Sequence, residues 1–313
     1  MVLHNPRLIF AGTCTALALA SCSGGAPPGV PTGAMGWSAA RHGWISPAAR
    51  HEKLVYVSDY TEGIILIYKQ GETGQGPIGE ITDAIDAPEG IAVDKSGTLY
   101  VANQGNNTVT EYPAGSESPS VTLSTDITKP LDVSVDSQGI VYITEGSANT
   151  ILEFKPGSTK PDATVSLMHP SEATNVKNDD LYVTYNESSA GKVARCKPLA
   201  TTCKDLGISG VELAQGIAID LHGDLLVGDV YKEVIDIYKR RQTMPFRTIA
   251  VTNEQPGKLA LNITDATLYM ADPANFAVRL FDYATGDQES AFTYGPADEL
   301  EGVALFPGQR PGR

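Results

Sequence analysis

From residue 88 onward, short apolar runs alternate with polar turns, and the pattern returns about every 42 residues. It reads PEGIAVDKSGTLYVANQGNNTVTEY from Pro88, PLDVSVDSQGIVYITEGSANTILEF from Pro130 and PSEATNVKNDDLYVTYNESSAGKVARC from Pro170. It continues as AQGIAIDLHGDLLVGDVYKEVIDIY from Ala214 and PGKLALNITDATLYMADPANFAVRLF from Pro256. Each copy predicts three strands. The first runs over 90–94, 132–136, 172–176, 216–220 and 258–262; the second over 99–101, 140–143, 181–183, 225–227 and 268–270. The third covers 108–112, 150–154, 192–196, 234–238 and 277–281. Val, Ile, Tyr and Thr fill these runs and Gly, Asp, Asn and Pro separate them, as strands and turns require. No apolar period of 3.6 residues stands out after the first 22 residues, so little helix is expected.

Two fragments remain. Residues 301–306 read as a first strand with no successor, and 54–57 with 64–68 read as second and third strands with no first. Together they complete one more unit, and joining them removes the two edges that an open array would expose. The expectation is an all-β, six-bladed β-propeller over residues 53–313, closed by pairing of its N-terminal and C-terminal strands. Each blade should have four strands, the least regular one outermost. Six small sheets packed round an axis also evade the size limit on a single core.

The first 22 residues follow different rules. Arg7 is followed by the apolar stretch 8–20, too short to span a bilayer, and then by Leu19-Ala20-Ser21-Cys22. That ending resembles a bacterial lipobox, which implies cleavage before Cys22 and acylation of its thiol and amine, a stable anchor when several chains are attached. The alternative is an ordinary cleaved signal with an incidental cysteine. Residues 23–52 begin as a Pro/Gly-rich tether and carry the only tryptophans, Trp37 and Trp44, which either plug a mouth or lie along a blade. Export to an oxidising compartment makes Cys196 and Cys203 a hairpin disulfide; a metal pair would lack a neighbouring His.

Net charge is −14, and about −15 without the first 22 residues, whose only charge is Arg7. Binding of nucleic acid or another polyanion needs clustered cations and is disfavoured. The one basic cluster, Lys239-Arg240-Arg241, follows a third strand and reads as a solvated edge.

The copy at Pro88 resembles the NHL repeat, approximately P-x-G-(I/V)-A-V-D-x-x-G-x-(L/V)-Y-V-A-D-x-x-N-x-R-(I/V). The likeness spans 54–306 and weakens at Pro170 and Pro256; Thr108, Thr150 and Val234 replace the arginine. Propellers of this superfamily include calcium- or zinc-dependent sugar lactonases, streptogramin lyases, peptide-amidating lyases and sensor domains. The resemblance therefore implies a shape and a choice of activities.

Two rings of residues map to one mouth. At or just before the first-strand start stand Glu89, Leu131, Ser171, Gln215, Lys258 and Glu301. Two places past the second-strand Tyr–Val pair stand Asp59, Asn103, Glu145, Tyr185, Asp229 and Asp272. Either the acids and amides of the second ring accept N–H bonds from the following loop, or they converge on the axis and hold a cation such as Ca2+ through oxygen ligands. The lactonase likeness implies metal ligands at the first-strand start. Glu89 and Glu301 fit, Gln215 fits poorly, and Leu131, Ser171 and Lys258 do not. The lyase likeness implies a mouth histidine, for which only His169 is near. No GxSxG, phosphate loop, HExxH or CxxC occurs. The expectation is a lipid-anchored, monomeric, non-enzymatic scaffold facing outside the cytoplasm in a bacterial envelope, binding a protein, peptide or glycan at the mouth formed by Asp59, Glu89, Asn103, Glu145, Gln215, Asp229, Asp272 and Glu301. The alternative is a divalent-metal lactonase or related hydrolase at the same mouth.

Overall fold

Alternating apolar positions with a period of two give strands that bury both faces only if sheets stack side by side. The structure, a computed structural model, describes residues 43–45, 52–175, 179–295 and 299–307, and in it that stacking closes into a ring of six antiparallel sheets. Strands are lettered A to D from the axis outward. Blade 1 holds A Leu300–Phe306, B Leu54–Asp59, C Ile64–Lys69 and D Gly79–Ile81. Blade 2 holds Pro88–Val93, Leu99–Asn103, Thr108–Tyr112 and Val121–Leu123; blade 3 holds Asp132–Val135, Val141–Glu145, Thr150–Phe154 and Ala163–Ser166. Blade 4 holds Pro170–Asn175, Leu181–Glu187, Ala190–Cys196 and Cys203–Asp205. Blade 5 holds Ala214–Ile219, Leu225–Asp229, Val234–Tyr238 and Arg247–Ala250, and blade 6 holds Leu259–Leu261, Thr267–Asp272, Ala277–Asp282 and Gln288–Thr293. No α-helix occurs among the described residues.

The expected closure is present. In blade 1 the C-terminal strand pairs with Leu54–Asp59 in the register Leu54↔Phe306, Tyr56↔Ala304 and Val57↔Val303. There is no single core. Six apolar clusters fill the six joints between neighbouring blades, for example Tyr142, Ile151 and Val165 of blade 3 against Leu181 and Val183 of blade 4. The joint between blades 6 and 1, which ties the chain ends, sets Tyr68 against Phe292, tilted by 36°, with ring centres 4.7 Å apart.

Trp44 lies along a blade. Trp44–Ile45 adds a fifth, outermost strand to blade 1, pairing with Gly79–Ile81, and Ile45 N–H donates to Glu117 Oε1 at 3.0 Å. Cys196 and Cys203 face each other across strands C and D of blade 4 and are disulfide-bonded. Cys22, the tether and Trp37 lie outside the described residues.

Candidate functional site

The six A strands run in parallel register round the axis, aligned by their pairing to B: Ile91↔Val101, Val133↔Ile143, Ala173↔Val183, Ile217↔Val227, Leu259↔Met270 and Val303↔Val57. One place earlier stand Gly90, Asp132, Glu172, Gly216, Lys258 and Gly302. Lys258 therefore lies one layer deeper than the ring in which the sequence placed it; Gly257 is the residue level with Glu89. The depth has a consequence. Blades 6 and 3 are opposite each other, and Lys258 crosses the axis to Asp132, Nζ to Oδ2 2.5 Å, with the Ala173 carbonyl at 3.4 Å. Asp132 Oδ2 also accepts the Ala173 N–H at 2.8 Å.

Close packing round the axis explains the glycines. A Cβ on Gly90 would lie 2.0 Å from Asp132 Oδ1, and one on Gly216 would lie 2.1 Å from the Gly257 carbonyl. Where three blades send long side chains to the axis, the other three have room for none. The Glu-Gly and Gln-Gly pairs of the repeat are thus required by close approach.

Glu89, Gln215 and Glu301 stand one layer out, at the mouth that carries the B–C loops. Glu89 Oε1 accepts from Gln104 Nε2 at 2.5 Å, and Gln104 in turn accepts from Tyr60 OH at 3.2 Å. Gln215 accepts from Gln255 Nε2 at 2.9 Å. Burial pushes Glu301 well above the usual carboxylate range, reinforced by Glu89, Glu299 and Glu172. Burial likewise raises Glu172 to about 8; Lys258 opposes this, and Asp132 and Glu89 add to it. Burial also raises Asp132, while Lys258 and the Ala173 N–H draw it back. Lys258 is the cation shared by Asp132 and Glu172. Glu172 and Asp132 were not singled out from the sequence; the signal was charge at a position where three of the six repeats have Gly.

The second ring does something else. Asp59, Asn103, Asp229 and Asp272 are fully buried, and Glu145 nearly so. Asn103 accepts the Asp86 N–H at 3.1 Å, Asp229 accepts Glu212 N–H at 2.8 Å and Leu213 N–H at 3.1 Å, and Asp272 accepts Gln255 N–H at 2.9 Å. Glu145 accepts Thr128 N–H and the Thr150 hydroxyl, and Asp59 accepts Glu62 N–H at 3.0 Å. Four of the five hold the segment that leads into strand A of their own blade. They are backbone acceptors inside the blades and do not converge on the axis. Hydroxyls in strand B tie blade to blade: Ser58 Oγ donates to the Glu89 carbonyl at 2.5 Å and Thr184 Oγ1 to the Gln215 carbonyl at 2.6 Å.

At the opposite mouth, Asp220, His222 and Asp265 bring ligand atoms within 4.8 Å of one another. Asp220 already accepts His222 N–H, Asp224 N–H and Tyr283 OH, and Asp265 accepts Leu221 N–H from the neighbouring blade. This is a turn-to-turn latch, repeated where Asp179 accepts Ser137 N–H.

The fold and its plugged axis define a six-bladed β-propeller. No protein-family model and no curated protein matches the chain. Among solved structures it is similar to a chain in a crystal structure of a nidogen/laminin complex. That likeness has a TM-score of 0.67 at 15% identity, covering 81% of this chain and 98% of that one. It shows the shared fold.

Proposed function

We propose that this propeller is an NHL-like binding scaffold that presents its B–C loop face to a protein partner, held outside the cytoplasm by a lipid on Cys22. The observation that carries this reading is that four of the nine large exposed apolar side chains among the described residues lie on this face. Tyr231 and Phe276 project from the B–C loops of neighbouring blades, and Met168 and Tyr294 follow D strands that end at the same face. Aromatic anchors of this kind dominate protein interfaces. The likeness to a propeller chain crystallised in a protein complex is consistent with it. A photo-crosslinking residue at position 231 should give one discrete protein adduct in cells, whereas the same residue at Leu221, on the opposite face, should give none; equal adducts or no adduct would overturn the reading. Cys22→Ser should release the protein from the membrane fraction, and retention there would sink the lipid anchor.

A divalent-metal hydrolase is the second reading, favoured by the mutual crowding of Glu89, Glu172, Glu299 and Glu301 at this mouth. Those oxygens would suit a hard cation such as Ca2+. Asn103 and Asp229 do not fit this role, because loop N–H groups already occupy them. Metal analysis finding no bound ion would dispose of the hydrolase.

A further inference from the structure

Below Lys258 the described residues leave the channel unfilled. A cavity of about 590 Å³ runs from Lys258 to the mouth formed by the A–B turns, and all six blades contribute to its wall. That is the size of a small-molecule site, roughly 300–1,000 Å³. Its origin is in the register. Two places beyond the layer of Lys258 and Asp132, on the same face of each A strand, stand Ala92, Ser134, Thr174, Ala218, Ala260 and Ala304, none larger than threonine. Two places further, Asp94 and Asp136 turn back on their own turns: Asp94 accepts Ser96 and Thr98 N–H, and Asp136 accepts Gln138 and Ile140 N–H. These two side chains are thereby held out of the mouth, and the wall between is largely aliphatic.

Lys258 forms the floor. It is 7% exposed, and its ammonium carries three donors, of which Asp132 takes one at 2.5 Å and the Ala173 carbonyl a second at 3.4 Å. Charge narrows the occupant. Among the described residues, Asp94, Asp136 and Asp179 at the rim outnumber Lys95 and disfavour an anion, while at the floor Lys258, already paired with Asp132, offers the cavity an N–H donor and not an acceptor for a cation. We propose that this cavity binds a neutral, elongated organic molecule with an apolar body and a terminal carbonyl or hydroxyl oxygen, which accepts the third donor of Lys258. The site is separate from the B–C loop face and does not depend on what that face binds.

The neutral fluorophore 6-propionyl-2-(dimethylamino)naphthalene has that shape and reports its surroundings. Titrated into the purified full chain, it should bind saturably at one site per chain, with a blue shift. Ala260→Phe and Ser134→Leu, which place side chains in the cavity, should each weaken binding at least tenfold, while Lys204→Gln on the outer edge of blade 4 should leave it within twofold. Circular dichroism and melting temperature identify variants that keep the fold, and either filler variant suffices. The anionic dye 8-anilinonaphthalene-1-sulfonate should not compete. Absence of saturable binding, binding unchanged in a folded filler variant, or displacement by the anion would each overturn the proposal.

Discussion

The two ends of the axial channel are built from the same six strands, yet they differ in almost every physical respect. At the B–C loop end, Asp132 and Glu172 share Lys258, Glu89, Glu299 and Glu301 crowd one another beside them, and side chains meet across the axis. At the A–B turn end, two residues further along each strand, small side chains leave about 590 Å³ unfilled. A two-residue step keeps a side chain on the same face of a strand, so the contrast comes from side-chain size and charge alone. A repeat can thus hold its backbone constant while one layer seals the ring and the next leaves room for a ligand.

The sharpest way to break this comparison is to remove the shared cation. Lys258→Met strands Asp132 in a buried site and should cost about 3–5 kcal/mol in urea unfolding. Lys258→Met combined with Asp132→Leu should recover at least half of that loss; no recovery would mean that the bridge is not what the ring depends on. A smaller contrast comes from one strand. Gly90→Ala drives a methyl into Asp132 and should cost about 2–3 kcal/mol, whereas Ala92→Val, facing the cavity, should stay within about 0.5 kcal/mol. Equal costs would erase the distinction between the two layers.

Titration sharpens it further. Glu172 binds its proton more tightly folded than unfolded, so its contribution to stability is full below its ordinary range and is lost as pH rises towards 8. Stability should fall by on the order of 1–2 kcal/mol between pH 5 and pH 8, opposite to the usual behaviour of a paired carboxylate. Glu172→Gln should flatten that slope, and a slope unchanged in the variant would remove Glu172 as its cause. The smallest effect is expected from Glu89→Gln, which takes one like charge from the mouth and should raise stability at pH 8 by a few tenths of a kcal/mol. Thermal melts at pH 8 measure it.

The sequence was most informative where physics acts within one repeat. The apolar period of two, the turns and the orphaned strands at 54–68 and 301–306 named the blades and their closure, because each follows from local pattern and from the cost of an exposed edge. Cys196 and Cys203 fell into the same class, being opposed across one hairpin. The candidate mouth was only half legible. Glu89, Gln215 and Glu301 do stand at the axis, whereas Asp59, Asn103, Glu145, Asp229 and Asp272 hold loops. Spacing places a carboxylate at a strand end but says nothing of which N–H groups the next loop brings to it.

By itself, then, the chain determined its strands and blade number, which follow from neighbours near in sequence, and the place where its ends meet, which follows from the cost of an exposed edge. Only the closed ring decided that Lys258 of blade 6 would reach Asp132 of blade 3, 126 residues away. Contacts across an axis depend on how six sheets share one centre, and no single repeat carries that information.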